Sequence, residues 1–359
     1  MKNIAIIHHD ADHDGNLSNE VCRYHLAHLH PEAMLHSFGW DYGRPLPDEI
    51  ARTTRITVEG GSANQTLQWE DFDQIYIVDL SVDELMARVA LRDKIIWIDH
   101  HASAIAKHDH IGDANKLVGY RIDGVAACRL CWQWFAFDRG PHGDPRTHPS
   151  DWYLPQKQDF VDRNVLEPRL IRLAGEYDVW DHRDPDAQDL QFGLRSLEKE
   201  QWDYLVRQSL DEYGHIPDST STNLACCIME GRSLRRYVER ENASIAAQFS
   251  QTIKFAGLTM IALNTGRPSN SQMIQSAAKP EHQALLVWRH TGASGGGSPI
   301  YISLYHAKGH EDIDLSKIAV KFGGGGHKGA CGFRVGLSVL KLILDGAYGD
   351  RPGELTDNF

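Results

Sequence analysis

Short apolar runs separated by amphipathic stretches set the pattern of the first half of the chain. Residues 2–7 read as a buried strand. Leu17, Val21 and Tyr24 then recur at helical spacing, and Pro31 closes that helix. Residues 33–38 predict a second strand, whereas 41–70, with their Pro, Gly and Thr, carry no clear pattern. Ile75-Tyr76-Ile77-Val78 is the next buried strand, ended by Asp79. Ser81 and Glu84 stand at capping-box spacing, which predicts a helix reaching about Arg92. Ile95-Ile96-Trp97-Ile98 follows as a strand and runs into Asp99-His100-His101. Strand, helix and strand at this spacing make a βαβ unit and hence a parallel sheet. Residues 124–137 are helical, with Leu130 and Trp134 on one side, and 138–153, rich in Pro, Gly and His, predict an exposed insertion. A helix from Arg169 leads into Tyr177-Asp178-Val179-Trp180.

Beyond about residue 190 the pattern changes. Residues 197–210 and 223–249 are helical with alternating charges, as in a connecting arm. Strand patterns return at 258–263, 283–288 and 300–305, the last two reading as a long-looped hairpin. Leu315, Ile318, Ala319 and Phe322 mark a helix that stops in Gly323-Gly324-Gly325-Gly326-His327-Lys328-Gly329. A strand-like stretch over 330–335 follows, and the apolar residues 337–344 close the pattern. The predicted class is α/β: a parallel-sheet domain over 1–190, a helical arm over 191–250, and a smaller α/β domain with a mixed sheet over 251–350.

Composition narrows the chemistry. With 359 residues, 42% hydrophobic and 24% charged, the chain has the make-up of a soluble globular protein of about two domains. Its formal charge of -12 excludes nucleic-acid binding through a broad basic field, so any nucleotide partner must be held by metal ions and a few placed basic groups. No run reaches membrane-spanning length, and a cytoplasmic location with reduced thiols is expected. Cys128 and Cys131 form a CxxC without a second pair at zinc spacing, which reads as buried structural thiols.

The chemistry concentrates in His8-His9-Asp10-Ala11-Asp12-His13-Asp14-Gly15, between a strand's carboxyl end and a helix's amino end. Crowded carboxylates repel one another unless something positive sits among them, and Asp oxygens with His nitrogens are ordinary ligands of a divalent metal. Asp79 and Asp99-His100-His101 end two further strands, and in a parallel sheet such ends share one edge. Asp178, between aromatic residues, would be costly there without a partner. The glycine run suits a phosphate or carboxylate, because backbone amides can approach it closely and Lys328 adds charge.

Together HHDADHDG at 8–15, the strand end at Asp79, IDHH ending at His101, YDVW at 177–180 and FGGGGHKGACGF at 322–333 resemble the DHH phosphoesterase superfamily. The likeness is to the branch with the DHH-associated C-terminal domain, which includes oligoribonuclease and cyclic-nucleotide phosphodiesterase members. It implies a phosphodiesterase with two Mn2+ ions (Mg2+ or another divalent metal being the alternative) and a cleft between its domains. Carried over by position, His8, Asp12, Asp14, Asp79, His100 and Asp178 would be metal ligands, with Asp79 bridging. Asp10 competes with His8 for the third place in the first motif, and His9 and His13 are expected to be bystanders. Asp99, His100 and His101 would do catalytic work by orienting ligands or handling protons. Gly324, Gly325, Gly326, His327 and Lys328 would bind the substrate phosphate. Tyr305-His306 departs from the family pattern, in which many relatives carry a phosphate-binding arginine.

The resemblance implies hydrolysis of short oligonucleotides, RNA or DNA, to nucleoside monophosphates. Two alternatives stand beside it: an enzyme acting on a bisphosphorylated adenosine nucleotide or a cyclic mono- or dinucleotide, and a catalytically silent DHH fold that binds nucleic acid or assembles. The partner expected is a short oligonucleotide or small nucleotide, without a membrane, and a homodimer is compatible with the pattern.

Overall fold

The computed structural model describes residues 2–42, 50–52, 65–109, 117–136, 154–213, 222–266, 271–291 and 299–347. The expected insertion at 138–153 lies outside the described residues. The chain divides into two compact units, Met1–Ser233 and Leu234–Phe359.

The first unit opens with β1 (Asn3–His9), α1 (His13–Leu29) and β2 (Met34–Trp40), then a small antiparallel pair, β3 (Ile50–Arg52) and β4 (Gln65–Leu67). It continues with β5 (Gln74–Val78), α2 (Asp83–Met86), β6 (Ile95–Asp99), α3 (Ala102–Asp109), β7 (Val118–Arg121) and α4 (Ala127–Ala136). Five strands form a parallel sheet in the order β2-β1-β5-β6-β7. Alternate residues of each strand enter opposite cores, as the pleat requires. Ile4, Ile6, Tyr76, Val78, Ile96 and Ile98 face one cluster with α1 and α4. Ala5, Ile7, Ile75, Ile77, Ile95 and Trp97 face another with Trp69, Phe72 and Leu85. A sheet covered on both faces explains why its strands read as continuous apolar runs.

The capping box predicted at Ser81 is absent. The backbone N–H of Ser81 donates to the Tyr42 hydroxyl at 3.1 Å, and the indole of Trp97 donates to the Leu80 carbonyl at 2.9 Å. These bonds keep the chain extended past Ser81, so α2 starts at Asp83, is only 4 residues long, and yields to a 3-10 turn over Val89–Lys94.

Five helices follow: α5 (Lys157–Val161), α6 (Arg169–Asp178), α7 (Pro185–Leu194), α8 (Lys199–Tyr213) and α9 (Thr222–Phe249). Leu205, Val206 and Leu210 of α8, with Leu224, Cys227 and Ile228 of α9, belong to the same core as the sheet. The helical stretch is therefore part of the first unit's packing as far as Ser233. Glycines let α7 and α9 approach closely: a Cβ on Gly231 would lie 1.9 Å from the Asp189 carbonyl oxygen, and one on Gly193 would lie 2.2 Å from that of Cys227. The thiols of Cys22, Cys128 and Cys131 are free and buried, so the CxxC packs as apolar surface.

The second unit holds β8 (Gln251–Phe255), β9 (Leu258–Asn264), β10 (Ala284–His290), β11 (Ile300–His306), α10 (Ser316–Lys321), β12 (Gly325–His327), β13 (Ala330–Val335) and α11 (Leu337–Leu344). Its mixed sheet runs β12-β13-β11-β10-β9-β8, with β9 and β10 parallel and the other pairs antiparallel. The glycine run ends α10 and becomes the edge strand β12. Gly323 sits at φ 73 and Gly326 at φ 132, and a Cβ on Gly324 would lie 2.1 Å from the Gly332 carbonyl oxygen.

Gly231→Ala tests the α7–α9 crossing. The added methyl should lower unfolding stability by about 2 kcal/mol, the usual scale of overpacking, read from urea denaturation by tryptophan fluorescence. An unchanged midpoint would mean that the helices do not depend on that approach.

Candidate metal centre

The parallel sheet reverses its strand order between β1 and β5, and open α/β sheets leave a crevice at such a point, outside the carboxyl ends of the strands. Here β1 ends in His9, β5 is followed by Asp79, and β6 ends in Asp99 before His100 and His101. The loop after β1 can turn tightly into α1 because residue 15 is glycine: a Cβ there would lie 2.1 Å from the His9 carbonyl oxygen.

Each carboxylate is placed by a separate device. Asp12 is the N-cap of α1, with Oδ1 accepting from the Gly15 N–H at 3.1 Å. Asp14 reaches the amino end of α4, accepting from Ala127 N–H at 2.7 Å and Cys128 N–H at 2.8 Å, where exposed amides and the helix dipole favour an anion. Asp79 is 1% exposed and adopts φ 62, a left-handed conformation that costs a non-glycine residue about 1–2 kcal/mol. Asp178 is the last residue of α6.

These side chains converge on two imidazoles. His100 Nε2 lies 3.2 Å from Asp79 Oδ1, 3.5 Å from Asp178 Oδ2 and 3.6 Å from Asp14 Oδ2. His9 Nδ1 lies 3.1 Å from Asp12 Oδ2 and 3.6 Å from Asp79 Oδ2, and its Nε2 lies 3.4 Å from Asp41 Oδ1. Asp99, fully buried, accepts on Oδ1 from the backbone N–H groups of His100 (2.7 Å) and His101 (3.2 Å), and its Oδ1 lies 2.8 Å from His101 Nδ1. It therefore fixes the turn and the His101 ring. Three donor groups compact enough to hold a metal ion result: Asp79-His100-His101, His9-Asp12-Asp79 and Asp14-His100-Asp178.

The electrostatics are those of a site short of cations. The ion pairs of Asp12, Asp14, Asp79 and Asp178 run to histidines, and none runs to lysine or arginine among the described residues. Burial, and then the charge of Asp14, push the Asp79 and Asp178 carboxyls well above the usual range. Burial opposes a charged His9, but hydrogen bonds with Asp12 and Asp79 outweigh it and push His9 up to about 11. Burial would also raise Asp12, yet His9 holds its carboxyl below the usual range. His101 is raised because Asp99 outweighs its burial. Asp79 Oδ1 is buried without a hydrogen bond, with an imidazole nitrogen 3.2 Å away. An orphaned carboxylate oxygen facing a ring nitrogen is what a divalent cation would satisfy, and a mixed Asp/His donor set suits manganese, iron or zinc.

The donor sets include Asp12, Asp14, Asp79, His100 and Asp178 from the sequence reading, with His101 beside them. They do not include His8 or Asp10, and they do include His9. The reason is the pleat: β1 runs through His9, so His8 shares a face with Ile4 and Ile6 and places its Nδ1 3.1 Å from the His9 carbonyl, whereas His9 points to the opposite face. Asp10 lies beside Gly39, and its N–H donates to the Trp40 carbonyl at 3.2 Å. His13 stacks on Trp202, with ring centroids 5.3 Å apart, and burial pulls its pKa down to about 4. Arg163 and Arg172, which sequence reasoning passed over, clamp the fully buried Glu176 at 2.7–3.1 Å and so hold the end of α6 that carries Asp178.

In the second unit, Gly324, Gly325, Gly326 and Lys328 form the edge loop, Lys328 exposed. His327 lies on β12 as well. His306 underpins this loop: its ring would be 2.7 Å from a Cβ on Gly329, and its Nε2 lies 2.6 Å from the Ile313 carbonyl. A cavity of about 610 Å³ in the first unit, between α1, β2 and α8, lies apart from the donor groups and is lined by both acidic and basic side chains.

No protein-family profile matches the sequence. No curated protein matches it either. A solved structure shows the fold: it is similar to that of a DHH domain. The DHH domain of a protein assigned to a family of ribosomal proteins aligns with a TM-score of 0.51 at 13% identity, covering 96% of this chain and 85% of that one. Also similar are PggH, a pGpG-specific phosphodiesterase from Vibrio cholerae, at TM-score 0.44 and 12% identity over 97% of this chain and 98% of that one, and an exopolyphosphatase-related protein from Bacteroides fragilis, at TM-score 0.48 and 13% identity over 97% and 92%. No helix among the described residues is long and apolar enough to cross a membrane.

Asp79→Gly tests whether this residue is kept against the interest of the fold. With chelator present, the variant should melt about 3–6 °C higher than wild type, because a left-handed strain and a buried like charge are both removed. A lower midpoint in differential scanning calorimetry would show Asp79 to be a structural group.

Proposed function

We propose that the chain is a divalent-metal-dependent phosphodiesterase that hydrolyses short oligonucleotides to nucleoside monophosphates, using manganese and two ions per site. The observation that carries this reading is Asp79, buried, strained, without a hydrogen bond on Oδ1, and shared by two donor groups. His9, Asp12 and Asp79 would hold one ion. Asp14, His100 and Asp178 would hold the other, with Asp79 as the bridge. Bound there, the ions would supply a nucleophilic water at neutral pH and offset charge on the phosphoryl oxygens.

The chain's own residues act by position. Asp99 engages His101 Nδ1, which leaves Nε2 to hydrogen-bond a phosphate or leaving-group oxygen. The amino end of α4 holds the Asp14 carboxylate in place through two backbone N–H groups. In the second unit the glycine edge and Lys328 would bind the substrate's phosphate. Gly325 favours this role for the loop: it has no positive φ, and a Cβ there would meet nothing within 4 Å, so no packing demand accounts for glycine.

The test is purified full-length protein with manganese, offered labelled di- to pentanucleotides, a bisphosphorylated adenosine nucleotide and cyclic dinucleotides. The expected outcome is release of nucleoside monophosphates from the shortest oligonucleotides, abolished by chelator and restored by manganese. Turnover of only the bisphosphorylated or cyclic compound would move the substrate to that class, and no turnover with metal bound would overturn the enzyme reading. Asp79→Asn should lower kcat at least about a hundred-fold, beyond the effect of losing a supporting hydrogen bond. Gly325→Ala should raise KM on the order of ten-fold at unchanged thermal stability, as expected when a backbone approach to phosphate is blocked. Wild-type KM for Gly325→Ala would remove the loop from substrate binding.

A further inference from the structure

Helix α6 ends in a Schellman motif. The N–H of Asp181 donates to the Glu176 carbonyl at 2.8 Å, and the N–H of Trp180 donates to the Tyr177 carbonyl at 3.1 Å. The residue that takes the left-handed position in this motif is usually glycine, because a Cβ is penalised there. Here it is Trp180, at φ 57. Its large apolar ring is nevertheless 56% exposed, so the strain is not offset by burial in the core.

The ring is held in place. Tyr177 lies near-parallel to Trp180, with centroids 6.1 Å apart and planes at 27°. His182 meets Trp180 edge-on at 5.0 Å and Tyr177 at 5.9 Å. Trp180 follows Asp178 by two residues, a span of at most about 7 Å along the chain, and the Asp178 carboxylate lies 3.5 Å from His100 Nε2. A braced, half-exposed indole thus stands two residues from one of the carboxylates that would hold the metal ions.

We propose that Trp180 is a stacking platform for a nucleobase of the substrate, so that the site reads a base next to the phosphodiester and not a phosphate alone. This rests on the nucleotide reading above. Stacking on an indole is tolerant of base identity, because every base has a π-face, which suits a site that degrades mixed sequences. The bracing by Tyr177 and His182 removes ring motion that binding would otherwise have to freeze.

The test compares two ligands with the full-length protein in manganese: a 5′-phosphorylated diadenylate with an uncleavable methylphosphonate linkage, and the same compound with abasic sugars. Binding is measured by titration calorimetry for wild type, Trp180→Gly and Trp180→Phe. Wild type should prefer the base-bearing ligand about ten-fold, the order that stacking contributes per base. Trp180→Gly should fold, since glycine fits the position, lose that preference and bind the abasic ligand as wild type does. Trp180→Phe should keep most of it. A wild type that binds both ligands alike, or a Trp180→Gly that weakens both equally, would overturn the proposal. So would a Trp180→Gly that keeps the preference and instead changes the sedimentation coefficient, which would make Trp180 a contact between copies. Base preference lost only in Trp180→Gly, with no hydrolysis of any nucleotide by wild type, would uphold the platform and count against the phosphodiesterase reading.

Discussion

Everything at the carboxyl edge of the parallel sheet depends on crowded negative charge that no lysine or arginine among the described residues relieves. Asp12 and Asp14 at the start of α1, Asp79 and Asp178 come from three different stretches of chain and meet around His9 and His100. In a low-dielectric setting such a group cannot keep all its charges unless cations enter. Protons fill that role in part without metal, which is why Asp79, Asp178 and His9 are all displaced toward holding them. A site arranged in this way is costly to the fold and useful to a ligand of opposite charge.

The surrounding structure is what makes the arrangement tolerable. The α4 amides hydrogen-bond Asp14, and Asp99 ties down the turn that carries His100 and His101. A chain of ion pairs runs away from the centre: Arg163 and Arg172 on Glu176, Arg172 on Asp184, Arg169 on Asp186, and Arg232 on both Asp186 and Asp189. It links α6, α7 and α9, so the helix that carries Asp178 is tied to its neighbours by charge as well as by packing. Individually the exposed pairs contribute little. Their effect is geometric, since Glu176 is fully buried and needs both arginines to be satisfied.

Much of this was legible in the sequence, for reasons that also explain what was not. β1, β5 and β6 declared themselves because a sheet covered on both faces demands unbroken apolar runs. β7 did not: it has 4 residues and includes Gly119, where a Cβ would lie 1.8 Å from the Trp97 carbonyl oxygen, so its sequence records a close approach and not a hydrophobic pattern. The converging strand ends, with their Asp and His residues, could be read from spacing alone. Which imidazole of the first motif enters the donor groups could not, because alternate residues of β1 face opposite sides of the sheet and spacing alone does not say which side they share. The clamp on Glu176 was hidden because Arg163 lies 13 residues away in sequence, and only the fold brings it back.

Backbone strain marks the same place by an independent route. Among the described residues, four that are not glycine adopt positive φ: Asp79, Arg163, Trp180 and Ala256. Ala256 needs no functional account, since with Gly257 it makes the two-residue turn between β8 and β9, where both positions take positive φ. The other three belong to the cluster or lie close in sequence or by contact to the end of α6 that carries Asp178. Asp79 contributes the shared carboxylate, Arg163 grips the residue two before Asp178, and Trp180 stands two after it. Each position would be easier for glycine, yet each side chain does something glycine cannot. Strain of about 1–2 kcal/mol per residue is a sizeable part of the stability of a typical domain. Its concentration beside the buried, unbalanced carboxylates is best understood as stability given up at one site for what that site binds.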